Sequence, residues 1–343
     1  MDPLSVAPGS ALQKRLQMAD IARLAGVSKA TVSRALNRST LVSADTRERI
    51  LALASSLNYS INIGAQNLRL GHNRTVGVVV PYDAAARQEL SDPFFLSLLG
   101  SLADALTARG YDLLLSRVDA EQLDAAAMPF DTGRVAGIIL VGEWRRHEQL
   151  DALAARQVPM VVWGAQVPGQ RYLSVGGDNA SGGMLATGHL LAAGRRRIAF
   201  VGDVGQAEVA QRHAGYRQAL AAQGLAPDPR LCVPASFQAQ DGAHAVHELA
   251  RRGVAYDGLF ACSDLLAMTA INALRTLGRE VPREVAVVGY DDIALASYFH
   301  PPLSTIRQPV RAAGEALVAT LMAQIEGRPA ASLQLPAELV VRA

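Results

Sequence analysis

The chain has 343 residues, of which half are hydrophobic, 19% charged and 5% aromatic, with a formal net charge of +2. No apolar run approaches the ~18 residues needed to span a bilayer, so no membrane partner is expected. The two cysteines, Cys232 and Cys262, have neither metal-ligand spacing nor a His cluster beside them. That excludes a disulfide scaffold and a metal centre and predicts buried free thiols in a reducing cytoplasm.

In chain order, residues 1–15 are small, polar and Pro/Gly-bearing, with no basic start and no sustained apolar stretch. They read as a disordered tail, neither a secretory signal nor an anchor. From Met18 to Ala25 the apolar residues Met18, Ile21, Ala22, Leu24 and Ala25 recur with helical spacing, and Gly26 supplies the backbone freedom that ends a helix. Ser28 follows as an N-cap for a second helix over about 29–36. Val32, Ala35 and Leu36 form its inner face, leaving Lys29, Ala30, Ser33 and Arg34 outward near its N-terminus. A third helix is predicted to start at the cap Ser43 and run through Ile50, Leu53 and Leu57.

Two helices about a tight turn with a third beneath them are the parts of a helix-turn-helix unit, whose second helix meets base edges in the major groove. Charge agrees: residues 1–75 hold ten Lys+Arg against four Asp+Glu, while the rest of the chain holds 23 against 27. The positive charge lies where phosphates would be.

The stretch Met18 to Tyr59 resembles the helix-turn-helix headpiece of the lactose/galactose repressor (LacI/GalR-type) family. The match runs through Asp20, Ile21, Ala22, Ala25, Gly26, Val27, Ser28, Thr31, Val32, Ser33, Arg34 and Asn37. Gln17 stands where the family favours a Thr or Ser cap, which predicts a weakly held first turn. The resemblance implies DNA contacts from Ser28, Lys29, Ala30, Thr31, Ser33, Arg34 and Asn37. It also implies that residues 62–73 form a hinge that becomes helical when two copies meet on DNA. Asn62 then joins the DNA contacts, and Leu68 is wedged between base steps in the minor groove. The expected partners are a pseudo-palindromic double-stranded operator and a second copy of the chain, with pairing of dimers into tetramers left open.

From Thr75 onward short β-branched runs alternate with amphipathic segments. Strands are predicted at 76–80, 112–116, 137–141, 158–163, 197–201, 258–261 and 285–289, and helices at 94–109, 180–193, 212–223 and 265–277. Such alternation predicts parallel sheets covered on both faces. The run is too long for one open sheet, and the segment 174–179 reads as the first crossover between two doubly wound lobes. Ligands of open α/β sheets bind at the carboxyl ends of strands, so facing lobes share one cleft.

The same family resemblance extends over 75–342, through VGVVVP, DPFF, RHAGYRQAL, SDLLAM, VVGYDD and PPLSTIRQ. It implies an α/β fold: the three-helix headpiece (16–61) plus a periplasmic-binding-protein-like core (74–343) of two doubly wound parallel-sheet lobes. Lobe 1 is expected over 74–177 and 308–330, and lobe 2 over 178–307 and 331–343. The implied ligand is a small-molecule effector of carbohydrate type, held by Phe94, Phe95, Arg212, Phe237, Asp264 and Asp291. At least one of the two adjacent phenylalanines is expected to be core. Ser263 replaces a more usual Asn, removing an amide donor, and Asp292 is read as a turn cap. Trp163 reads as core, His189 as a helix position, and Trp144 as either core or cleft.

Enzyme motifs are missing: Gly176-Gly177-Asp178 is not G-x-G-x-x-G, and neither a phosphate-binding loop nor H-E-x-x-H occurs. No cofactor and no metal are expected. The rival readings on the same core are an extracytoplasmic solute-binding protein and a sugar-modifying enzyme, and the first 75 residues separate both from a cytoplasmic transcriptional repressor.

Overall fold

The computed structural model describes residues 17–36, 39, 41–57, 73–82, 90–142 and 147–342. The expected tail, Asn37, Asn62, Leu68, the rest of the hinge to His72, and Trp144 lie outside the described residues. Contacts divide the chain into two units, 1–72 and 73–343.

The first unit contains helices α1 (Met18–Ala25), α2 (Lys29–Leu36) and α3 (Ala44–Ser56). Gly26 ends α1 with φ of +65°, a conformation costly for a residue with a Cβ. The Ser28 hydroxyl accepts the Thr31 N–H at 3.1 Å and so starts α2, and Ser43 caps α3 in the same way through the Thr46 N–H. The first turn of α1 is better held than Gln17 alone predicts, because the Asp20 carboxylate accepts the Gln17 N–H at 2.9 Å. Ile21, Val32, Ala35 and Ile50 are fully buried where the three helices meet. Leu24, by contrast, points to solvent.

The second unit begins with β1 (Thr75–Tyr82), α4 (Pro93–Thr107), β2 (Asp112–Asp119), β3 (Gly137–Val141), α5 (His147–Ala155), β4 (Met160–Trp163) and β5 (Ser174–Gly177). It continues with α6 (Asn179–Ala192), β6 (Ile198–Val201), α7 (Ala207–Ala222), β7 (Cys232–Val233), α8 (Ala239–Arg251), β8 (Gly258–Ala261) and α9 (Asp264–Thr276). Last come β9 (Ala286–Asp291), β10 (Ser304–Arg307), α10 (Val310–Ile325), β11 (Leu333–Leu335) and β12 (Glu338–Val340). Two six-stranded sheets result, in the orders β11-β5-β4-β3-β1-β2 and β12-β10-β9-β8-β6-β7. All neighbours run parallel except β10 and β12. The runs GIILV, MVVW and IAFV are buried at every position, as central strands covered on both faces must be.

The crossover segment 174–179 resolves into a strand and a passage, and the last lobe boundary moves. Ser174–Gly177 is itself the strand β5, and the chain leaves the first sheet only at Asp178, which caps α6 by accepting the Ser181 N–H. Leu333–Leu335 pairs with β5 and not with the second sheet, so the first lobe extends to 335. The chain therefore passes between sheets three times: at Asp178, at Gln308-Pro309 and at Pro336-Ala337. Leu335 is in register with Gly177 and its carbonyl accepts the Asp178 N–H at 2.8 Å, and the Gln308 side chain packs against Gly177, so the passages adjoin.

Helices α6 and α7 approach closely because glycines line the contact. A methyl group on Gly183 would lie 2.0 Å from the Arg212 carbonyl oxygen, and one on Gly215 would lie 2.0 Å from that of Ala180. Only backbone-to-backbone packing of this kind brings Arg212 beside the start of α6. No helix among the described residues is long and apolar enough to cross a membrane.

Candidate functional site

On α2, Ser28, Lys29, Ala30 and Arg34 are exposed, and Thr31 and Ser33 are half-buried. The hydroxyls of Ser28 and Thr31 lie 2.9 Å apart, so the turn of the motif and the first turn of α2 are tied together. The result is an open helix face with a cation at each end, where the helix dipole adds positive potential at the N-terminus.

In the second unit a cavity of about 590 Å³, mouth included, opens at the carboxyl ends of the strands of both sheets. The first lobe contributes aromatic walls. Asp92 caps α4 by accepting the Phe94 N–H at 2.8 Å, and Pro93 follows it in the first turn, so Phe94 and Phe95 are delivered at the helix start. Their ring centroids are 5.9 Å apart, edge to face, and Phe94 lies 5.9 Å from Trp163 at the end of β4. Gly176 and Gly177 of β5 form part of the lining.

The second lobe contributes charge. Arg212 is only 4% exposed; its Nε donates to Asn179 Oδ1 at 2.8 Å and its Nη1 to the Cys262 carbonyl at 2.6 Å. Asp291 ends β9 with φ of +112°, a strained conformation of the kind that persists at ligand sites. Its Oδ1 accepts from Gln308 Nε2 at 2.8 Å. Burial pushes its pKa well above the usual carboxylate range, against the pull of Arg212. Phe237 is half-buried at the rim. Glu208 also lines the cavity, and its Oε1 accepts the Ala165 N–H of the opposite lobe at 3.0 Å. One turn further along α7, Gln211 Nε2 donates to the Gln166 carbonyl at 2.9 Å.

Residues 17–62 match the bacterial regulatory proteins of the lacI family, and residues 187–343 match a periplasmic binding protein-like domain. The transcriptional regulator CelR of Thermobifida fusca is 34% identical over 96% of this chain and 98% of its own. The chain belongs to the LacI family.

This LacI-family chain is thus a DNA-binding transcriptional regulator with an effector-binding core. A crystal structure of the Lac repressor dimer bound to operator and an anti-inducer is similar to it, with a TM-score of 0.87, 26% identity, and coverage of 96% of this chain and 98% of that one. The structure of a CelR–cellobiose complex gives a TM-score of 0.70 at 32% identity, covering 96% and 99%.

Of the cleft residues expected in the LacI-family core, Phe94, Phe95, Arg212, Phe237 and Asp291 meet around the one cavity. Both phenylalanines belong to the hydrophobic core as well as to the wall. Asp264 is a correction: it is fully buried and stands outside the lining. Its Oδ1 accepts the Thr305 hydroxyl at 2.5 Å and its Oδ2 the Ile293 N–H at 2.8 Å. Oδ2 thus holds the turn that follows Asp291, and Oδ1 is tied to β10. Burial raises the Asp264 pKa to about 7.

Ser263, the replacement for Asn, caps α9 through the Leu266 N–H at 3.2 Å. Asp292 is an ion-pair partner and not a turn cap, with Arg342 at 2.5 Å and Arg307 at 2.7 Å. Trp163 is core and cavity wall together. His189 lies on α6, where burial lowers its pKa. Sequence reasoning did not single out Asp92, Asn179, Glu208 or Gln308. Glu208 had one available signal, its place one helical turn before Arg212 on the same face.

Proposed function

We propose that this regulator is a cytoplasmic repressor, without enzymatic activity, that binds a pseudo-palindromic operator as a homodimer. A small carbohydrate in the core cavity adjusts how firmly it holds. The observation that carries the reading is the union, in one chain, of an exposed basic recognition-type helix and a cavity of aromatic walls and buried charge.

Lys29, Ala30 and Arg34 are assigned to base edges in the major groove, and Ser28, Thr31 and Ser33 to phosphates. Asn37, Asn62 and Leu68 complete the DNA contacts on family grounds, with Leu68 as the minor-groove wedge in a hinge over 62–73. One headpiece of 16–61 reads a half-site, and two-fold symmetry doubles both contacts and specificity. In the core of 74–343, Phe94, Phe95 and Phe237 offer flat faces to sugar C–H groups, while Arg212 and Asp291 address hydroxyls. The cellobiose held by CelR and the operator held by the Lac repressor dimer support this division of labour.

Selection of duplexes from a random pool with the purified full chain tests the reading. A pseudo-palindrome should be enriched, and a bound carbohydrate should shift its affinity by roughly 5–150-fold, the usual span of allosteric coupling. Failure to enrich any sequence over random competitor at moderate ionic strength, with and without carbohydrates, sinks it.

A further inference from the structure

The effector reading leaves the ligand's chemistry to the cavity's hydrogen-bond inventory, which is unbalanced. Arg212 is the single cation among the described lining residues, facing the carboxylates of Asp92, Glu208 and Asp291. Its charge is offset and part of its donor set is already used. Nε and Nη1 are engaged by Asn179 and the Cys262 carbonyl, one guanidinium face lies on the Tyr290 ring, and its charge is offset by Asp291 and Glu208.

The carboxylates are differently placed. Asp92 is occupied as the cap of α4, whereas Asp291 and Glu208 each use one oxygen on the protein: Oδ1 of Asp291 on Gln308 and Oε1 of Glu208 on Ala165. Among the described residues, Asp291 Oδ2 and Glu208 Oε2 have no hydrogen-bond donor. Both residues are half-buried, so these oxygens face the cavity as sites that a ligand's donors can meet. A phosphate or carboxylate on the ligand would instead meet a lining with one cation against three acidic side chains.

Resting on the effector reading above, the geometry points to an effector that is a sugar-like ring with no anionic group, neutral or aminated, selected against its phosphorylated and acidic forms by Glu208. Glu208 suits that role because it belongs to α7 of one lobe yet is anchored on the backbone of the other. A donor bound to Oε2 is therefore read by both lobes at once.

The variant Glu208→Gln isolates this. The Ala165 N–H keeps an oxygen as its acceptor, so the amide nitrogen must occupy the place of Oε2 and present a donor where the wild type presents an acceptor. The purified full chain is titrated, by thermal shift and calorimetry, with pyranoses and β-linked disaccharides in matched neutral, 2-amino, 6-phosphate and uronic acid forms. Neutral or aminated members are expected to bind at least about tenfold tighter than the matched anionic ones, the two arms deciding between neutral and aminated. In Glu208→Gln the ratio of neutral to anionic affinity should fall by about tenfold or more, as expected when a charge-assisted bond is exchanged for its opposite. If only anionic members bind, or the ratio is unchanged in the variant, the inference is overturned while the effector reading stands. If no member of any class binds, the effector reading falls and takes this inference with it.

Discussion

The guanidinium carbon of Arg212 lies 3.6 Å from the centroid of the Tyr290 ring. A planar cation is stacked there on an aromatic face while its edge donates to Asn179 and Cys262, and a lysine can do only one of these things. Burial raises the Tyr290 hydroxyl to about 12, so the ring is neutral at physiological pH. Arg212→Lys should therefore destabilise the core by about 3 kcal/mol, the scale of breaking up a buried charge network. It should also weaken effector binding at least about tenfold. Denaturant melts and ligand titrations of the variant measure the two effects; a variant as stable and as responsive as the wild type would remove Arg212 from the site.

Asp264 makes the core's stability depend on pH. The folded protein holds the Asp264 proton up to about pH 7, whereas an exposed aspartate releases it near 3.8. Between those values the folded state binds more protons than the unfolded chain, so stability falls as pH rises through the window. The gap between the two values corresponds to about 4 kcal/mol at most, lost in full once the pH has passed about 7. Asp291 and Asp92 are raised by burial and act in the same sense. Thermal midpoints should be higher at about pH 5 than at about pH 8, and Asp264→Asn should shrink that difference. An equal difference in the variant would assign the pH dependence elsewhere.

Arg34 is exposed near the end of α2, on the face left open by the buried Val32 and Ala35. Arg34→Ala should cost about 1–3 kcal/mol of operator affinity and relax selection at one base position in each half-site. Duplex selection with the variant checks this: uniform weakening with unaltered base preferences would make Arg34 a phosphate contact instead.

The headpiece was legible because its signals are local. Gly26, Ser28 and Ser43 mark helix ends within a few residues of the apolar positions they organise, and the helices of the structure begin and end where those signals stand. The central strands were legible as unbroken apolar runs. The short strands Cys232–Val233, Ser304–Arg307, Leu333–Leu335 and Glu338–Val340 were not, because their pairing comes from neighbours distant in sequence.

The cavity divides along the same line. Arg212 lies inside α7, which begins at Ala207, five residues before the expected start, whereas Phe94 stands at a helix start and Asp291 at a strand end. Asp264 stands in an equivalent place, yet Thr305 and Ile293, 41 and 29 residues away, claim its oxygens. Glu208 was overlooked for the converse reason: its partner, Ala165, lies 43 residues earlier in the other lobe.

The three adjoining passages between the sheets have a mechanical consequence. Backbone tethers gathered along a single line forbid sliding and leave one soft torsional axis. Atoms next to that axis scarcely move as it turns, and those far from it sweep the widest arcs. Gly177 and Gln308, which line the cavity, belong to two of these passages, while Phe94 and Phe237 come from the two lobes. A ligand in the cavity therefore touches the residues of the passages as well as the wall of each lobe.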